Sequence, residues 1–330
     1  MVKRVSGQSW ESFVETKIMK PLGMENSAAS FRTLKSKSNI IDSHIEFNGK
    51  VQVVPQTITE AANAAAGVVS SVTDMSKWVI AQLNGGVYGS NGEKIFSKAV
   101  HQEMWTPQTI IPIRGGTIYK TNFAAYALGW RVSDMNGHKS VTHTGMRAGV
   151  VTQVMMIPDL KLGIIVFTNQ QIGEAFNSVT YTILDKYFGV NGKDRVAENL
   201  ESLNKSKSNA NNILDAVWKI TDEQKTKEHP GIGRFAGTYK DNWFGEVTIT
   251  NNNGKLYFNS IKSPKMRGEI LSYKSNVFVI KWDDRSFDAD AFINFSFDFD
   301  GKPDKFTMKA ISPLTDFSFD FQDLEFSRVN

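Results

Sequence analysis

The feature that most constrains this chain is a pair of apolar runs, Val150–Ile157 and Gly163–Thr168, with Pro158, Asp159 and Lys161 in the short link between them. A link that short, opened by Pro-Asp, allows only a tight turn, so the runs are expected to pair as antiparallel strands. Their near-continuous apolar character means that both faces are covered, by helices. One such helix follows at once: Phe176, Val179, Ile183, Tyr187 and Phe188 fall on one face, and Gly189 stops it. Two further strands, Tyr126–Val132 and His138–Thr144, stand just upstream. The second runs through His143-Thr144-Gly145 into Met146-Arg147-Ala148-Gly149, a Gly-marked turn. Strand alternation puts His143 and Gly145 on one side. An imidazole, a hydroxyl and a residue with no side chain at a strand end offer donors and room for a substrate backbone. On the tripeptide alone, a capping Thr and a turn Gly at an ordinary strand end is the plainer reading.

The chain ahead of these strands reads as helices and turns. Met1–Val5 looks like the tail of a helix closed by Ser6-Gly7. Ser9 caps a helix with Trp10, Phe13, Val14 and Ile18 on one face, ended by Pro21-Leu22-Gly23. Asn48-Gly49 marks a hairpin turn between two weak strands. Thr73 is expected to cap the clearest helix, carrying Met75, Trp78, Val79, Gln82 and Leu83 and stopped by Gly85-Gly86. A short helix starts at Ser97, and Pro112–Asn122 reads as a loop with Gly115-Gly116 at its tip.

Behind Gly189 the character changes. Residues 191–212 are rich in Asn, Lys, Ser and Glu and read as a linker, with a short helix over Ile213–Ile220. From Gly231 the period becomes 2, and strands of five to eight residues alternate with turn signals such as Asn253-Gly254 and Asp300-Gly301. Ile293, Phe295, Phe297 and Phe299 are expected to share one strand face, and Phe317, Phe319 and Phe321 another. An aromatic stripe of this kind is core, so a small all-β barrel or sandwich is expected. The fold class is therefore α+β, divided as a mixed domain over 1–190, a polar linker with a short helix over 191–230, and an all-β domain over 231–330.

Composition excludes several functions. With 330 residues and no Cys, the chain has a length suited to two domains and can hold neither a disulfide, a thiolate zinc site nor a thiol nucleophile. Its 5 His show no metal-ligand spacing. The acidic cluster Asp283-Asp284 and Asp288-Ala289-Asp290 lacks the Gly and terminal Glu of a calcium loop. No Gly-rich phosphate loop is present, so no metal or cofactor is expected. The net charge of +4 is spread as +5 over residues 1–192, 0 over 193–230 and −1 over 231–330. It forms no basic stripe, which argues against nucleic acid and for carboxylate-bearing substrates. No apolar run approaches the ~20 residues of a membrane span, and Met1–Gly7 has charges without an apolar stretch behind them. The chain as written is expected to be soluble, with its compartment left open.

Taken together, Val5-Ser6-Gly7-Gln8-Ser9-Trp10 to Ile18, Pro21-Leu22-Gly23-Met24, the Ala-rich stretch to Gly67, Asn84-Gly85-Gly86 and Tyr126-Ala127-Leu128-Gly129-Trp130 resemble the serine β-lactamase and penicillin-binding protein superfamily, in its class C-like branch. The resemblance spans about residues 1–189. It puts His143-Thr144-Gly145 at the third motif, Lys-Thr-Gly or His-Thr-Gly, and implies an antiparallel sheet with flanking helices. It further implies an acyl-serine mechanism on an ester, a lactam or a D-amino-acid amide, in a small-molecule or peptide substrate. In that scheme His143 supplies a hydrogen bond or positive charge, Thr144 binds a substrate carboxylate, and the Met146 backbone N–H is one of two oxyanion donors. The stretch from Gly231 resembles an all-β domain often appended to such hydrolases.

The family's nucleophile stands in Ser-x-x-Lys, well ahead of Pro-Leu-Gly-Met. Here the one Ser-x-x-Lys is Ser202-Leu203-Asn204-Lys205, behind His-Thr-Gly and out of order, and the family's Tyr-x-Asn is read as missing altogether. The family's first two sheet strands are absent too. Two expectations follow. As a piece of a serine hydrolase the chain lacks its own nucleophile and is inactive alone; alternatively it is a non-catalytic binding or interaction protein on the same scaffold. The sheet would be incomplete, and its exposed edge, Gly163–Thr168, is expected to drive self-association. Members of the family are commonly periplasmic or secreted.

Overall fold

A computed structural model describes residues 1–47, 49–56, 60–113, 118–227, 229 and 231–329. The expected turn residue Asn48 and the loop tip Gly115-Gly116 lie outside these. The chain forms two compact units, Met1–Leu200 and Glu201–Asn330.

In the first unit, α1 (Val2–Ser6) closes on a left-handed Gly7, and Ser9 caps α2 (Trp10–Val14), which continues as a π-helical turn over Glu15–Met19. β1 (Ser43–Phe47) and β2 (Lys50–Val54) form the expected hairpin. After α3 (Asn63–Ala66) comes α4 (Val72–Leu83). Its cap is Ser71, not Thr73: Ser71 is extended and its side chain accepts the Asp74 N–H, so the helix is already under way at Thr73. A two-residue ladder, β3 (Val87–Tyr88) with β4 (Glu93–Lys94), leads to α5 (Lys98–Met104), capped by Ser97 as expected.

The sheet is built from β5 (Thr109–Ile110), β6 (Ala124–Tyr126), β7 (Arg131–Met135), β8 (His138–Arg147), β9 (Val150–Ile157) and β10 (Leu162–Thr168), in the spatial order β10-β9-β8-β7-β6-β5. Every pair is antiparallel. The expected strand Tyr126–Val132 is in fact two strands. Gly129 takes φ 75° and the Ala127 N–H bonds to the Trp130 carbonyl, folding the chain back. Both faces of the central strands are covered. On one face α4 packs against β10, where a Cβ on Gly163 would lie 2.5 Å from Val79 Cγ1, so only Gly admits the helix. On the other lies α6 (Gly173–Phe188), whose Leu184 joins Ile157, Ile164 and Tyr119 in a buried cluster. Beyond the left-handed Gly189, α7 (Arg195–Lys225) begins.

That helix replaces the expected linker. It is 31 residues long, and the Asp194 carboxylate accepts the N–H groups of Val196 and Ala197 at its start. The polar composition of 191–212 predicts a linker, yet no Gly or Pro interrupts residues 193–229. Ala210, Leu214, Val217 and Thr221 supply one narrow buried or half-buried stripe.

The second unit is a closed barrel of eight antiparallel strands in sequence order: β11 (Gly237–Asp241), β12 (Gly245–Asn252), β13 (Lys255–Ser260), β14 (Arg267–Lys274), β15 (Val277–Trp282), β16 (Ala291–Phe297), β17 (Pro303–Ala310) and β18 (Glu325–Arg328). β18 pairs with β11 and closes it. Closure settles barrel over sandwich and leaves no free edge. The interior is filled with aromatic rings, among them Phe258, Phe295, Phe306 and Phe326 at 0% exposure, so there is core here and not a ligand chamber. Two expected strand faces fail. The stripe of β16 ends at Phe295, because the register shifts between Ser296 and Phe297 and leaves Phe299 in the turn, fully exposed. Phe317, Phe319 and Phe321 lie on short 3₁₀ turns, because the Asp316 side chain accepts the Ser318 N–H and Asp320 turns left-handed.

Candidate functional site

The strand β7 pairs with β8 only as far as Thr142, opposite Arg131. Beyond it, residues His143–Arg147 keep β9 as their one sheet neighbour among the described residues, through His143↔Val154, Gly145↔Thr152 and Arg147↔Val150. One side of this strand end is therefore open, and a cleft of about 1170 Å³ borders it. His143, Thr144, Gly145 and Arg147 form one part of the lining. Phe31, Leu34 and Lys35 from the segment ahead of β1, with Ser70 and Ser71 ahead of α4, also line it.

Three of the four expected site residues thus line one cleft. The fourth, Met146, expected to act through its backbone N–H, is 46% exposed and outside that lining, and it stands opposite Val151 on β9. A Cβ on Gly145 would lie 2.6 Å from Thr152 Oγ1, so any larger residue there would disturb its neighbour on β9. The His143 ring is held at both nitrogens. Nδ1 lies 2.6 Å from the Thr144 carbonyl oxygen and Nε2 lies 2.9 Å from the Tyr126 hydroxyl. The two rings meet edge to face at 5.8 Å. Tyr126 is expected as a strand residue and as the first residue of the Tyr-Ala-Leu-Gly-Trp stretch, neither of which assigns it a place beside His143.

The surroundings are tied down by polar contacts. At 1% exposure Asp74 accepts hydrogen bonds from the Asn26 N–H, the Ser27 hydroxyl and Lys77 Nζ. Burial pushes its carboxyl up, but those bonds outweigh it and hold it below its ordinary value. Lys77 also donates to the Gly23 carbonyl, and Ser27 meets Ser70 at 2.8 Å. One buried carboxylate thereby fastens the Gly23–Ser27 turn and the Ser70 wall of the cleft to α4. On another side Gly149 takes φ 79°, its carbonyl accepts the His44 N–H, and its N–H donates to the Gln171 side chain. That clasp fixes the β1–β2 hairpin against the turn that follows the His-Thr-Gly strand.

Other sequence candidates are not part of the cleft lining. Ser202 and Lys205 sit within α7, in the second unit. The expectation that Tyr-x-Asn is missing altogether needs correcting: one occurs at Tyr257-Phe258-Asn259, but on a barrel strand with Phe258 in the core, in the second unit. His138 pairs with Asp159 and stacks on Phe188, away from His143 on the same strand. In the acidic cluster Asp290 is 6% exposed and receives both terminal nitrogens of Arg285, an ion pair that organises the loop. Among the described residues no group of three or more His, Asp or Glu is arranged to hold a metal. Nor is any of their helices long and apolar enough to cross a membrane.

An antiparallel sheet covered by helices on both faces, with His-Thr-Gly at the open end of an inner strand, is the arrangement of the β-lactamase-like hydrolases. The family model for beta-lactamase matches residues 1–187, and the chain belongs to that family. Residues 221–328 match a domain of unknown function, DUF3471. The chain is similar to the unguisins hydrolase ungD of Aspergillus violaceofuscus, 24% identical over 278 residues, covering 78% of this chain and 49% of that protein. It is also similar to the beta-lactamase-like protein 1 of Dictyostelium discoideum, 25% identical over 167 residues, covering 47% of this chain and 26% of that one. The chain thus spans half or less of the length of these curated relatives. Among solved structures, the octameric penicillin-binding protein homologue from Pyrococcus abyssi superposes with a TM-score of 0.50 at 17% identity, covering 98% of this chain and 61% of that one. That likeness supports the fold.

Proposed function

We propose that residues 1–189 provide one wall of an acyl-serine hydrolase site acting on an ester, a lactam or a D-amino-acid amide. The observation that carries this reading is the His143-Thr144-Gly145 strand end, open on one side and lining a cleft of about 1170 Å³. Gly145 lets a substrate backbone lie against β8. The Thr144 hydroxyl offers a hydrogen bond to a substrate carboxylate, and Arg147 and Lys35 add positive charge to the lining. The Met146 backbone N–H serves as one oxyanion donor, stabilising the charge that develops on the carbonyl oxygen under attack. A hydrolase among the curated relatives is consistent with this chemistry.

The attacking serine is not assigned to these 330 residues, because the one Ser-x-x-Lys lies inside α7. The chain by itself therefore forms no acyl-enzyme. Incubation with a fluorophosphonate and with a fluorescent penicillin, followed by intact-mass measurement, tests this. An unmodified mass is expected, and stoichiometric modification of any serine overturns it.

A further inference from the structure

We infer that His143 does not itself contact the substrate but works with Tyr126 as a positioning pair that holds the Thr144 peptide, leaving the Thr144 hydroxyl as the polar group the wall presents. This rests on the hydrolase reading above for the identity of the cleft, though its geometry stands apart from any serine.

The carbonyl oxygen of Thr144 can only accept a hydrogen bond, and it lies 2.6 Å from His143 Nδ1. Nδ1 must therefore carry a proton. In a neutral imidazole the other nitrogen is then bare, so Nε2 accepts, and the Tyr126 hydroxyl 2.9 Å away donates to it. If the ring gains a second proton, the hydroxyl has only to rotate: Nε2 then donates and the phenol oxygen accepts. In both states each ring nitrogen already has a partner inside the chain, so no N–H remains for a substrate.

What the pair does is set the strand end. β8 has lost β7 as a neighbour beyond Thr142, so this backbone lacks the second ladder that fixes an inner strand. The imidazole replaces it by bonding the Thr144 carbonyl, and Tyr126, from β6 on the far side of β7, fixes the ring. The edge-to-face packing of the two rings adds a second restraint. Thr144 itself makes no side-chain hydrogen bond among the described residues, so its hydroxyl is free to bond a ligand.

The test uses the whole chain labelled with ¹⁵N-histidine and two-bond ¹⁵N–¹H correlation at pH 7.5. There are 5 histidines, and His143→Gln assigns the relevant one by its loss. In the neutral ring the expected tautomer carries its proton on Nδ1 and leaves Nε2 bare. Tyr126→Phe should shift the bare Nε2 resonance, because it loses its donor, while Nδ1 stays protonated and the other four histidines do not move. A neutral wild-type ring with its proton on Nε2 and Nδ1 bare overturns the proposal, and that result needs no variant to fold. So does an Nε2 resonance that ignores Tyr126→Phe in a chain whose other histidines show it folded. Failure of the serine-labelling experiment would leave these spectra unchanged, so the two readings fail separately.

Discussion

The clasp at Gly149 gives a prediction whose size can be worked from the structure. Gly149→Ala incurs two costs. The first is conformational: at φ 79° an alanine sits in the left-handed region, at about 1–2 kcal/mol. The second is steric. The new Cβ would lie 2.6 Å from the His44 nitrogen and 2.8 Å from the Ser43 carbonyl carbon, which are backbone atoms and cannot swing away. Relieving that overlap means shifting the β1–β2 hairpin, with an overpacking cost of about 1–3 kcal/mol. Gly137→Ala supplies the control. It has φ 86° in the β7–β8 turn of the same sheet, and a Cβ there meets nothing within 4 Å, so it bears only the first cost. The difference between the two variants therefore isolates the clasp. Urea unfolding read by hydrogen exchange of β8 and β9 peptides should place Gly149→Ala about 1–3 kcal/mol below Gly137→Ala. Equal stabilities within about 0.5 kcal/mol, a margin ordinary for surface changes, would refute the argument that the hairpin is rigidly seated on this turn.

Three further outcomes are expected. Asp185→Asn removes the carboxylate that Arg195, 6% exposed, grips through two nitrogens, leaving a buried cation underpaired, and should cost about 3–5 kcal/mol in denaturant unfolding. The same guanidinium holds the Asp185 carboxyl below its ordinary range, so its stabilisation is present above the unfolded-state value of about 3.9 and is lost as pH falls through the lower folded value. His101 lies between Phe96 and Trp105, and burial holds its imidazole below its ordinary value. The unfolded chain therefore takes up that proton first, and stability falls as pH drops below about 6.5. Melts at pH 7.5 and 5.5 should differ more for the wild type than for His101→Phe, and an equal difference would exclude this group as the cause. Finally, β10 ends the sheet with a run free of charge and proline, so the chain is expected to self-associate; a concentration-independent monomer by light scattering would speak against it.

How far the sequence carried depended on whether a local signal survived its tertiary setting. The pair Val150–Ile157 and Gly163–Thr168 was legible because nothing competes with two apolar runs across a tight turn, and β9 and β10 follow it in register. Gly189 and Ser97 were legible for the same reason: each has one job, and each does it. Where two local signals compete, the turn residues override the alternation. Phe317, Phe319 and Phe321 alternate like a strand, yet the Asp at 316 and at 320 turns the backbone first. Residues 191–212 looked too polar to order, but a long helix needs only the stripe from Ala210 to Thr221 and a run without Gly or Pro. At the site, His143, Thr144 and Gly145 could be named because they are consecutive. Tyr126 could not, since its contact with His143 exists only once β6, β7 and β8 lie side by side. Another part of the lining comes from segments with little regular structure, around Phe31–Lys35 and Ser70, which carry no periodic signal.

The ¹⁵N-labelled chain is mixed with a penicillin, and backbone amide shifts are recorded beside the intact mass. Movement confined to the amides of His143–Arg147 and the facing segments of the cleft, with no change in mass, is predicted: a wall that binds without a nucleophile that attacks. A stoichiometric covalent adduct, or amide shifts that leave Thr144, Gly145 and Met146 untouched, would contradict it.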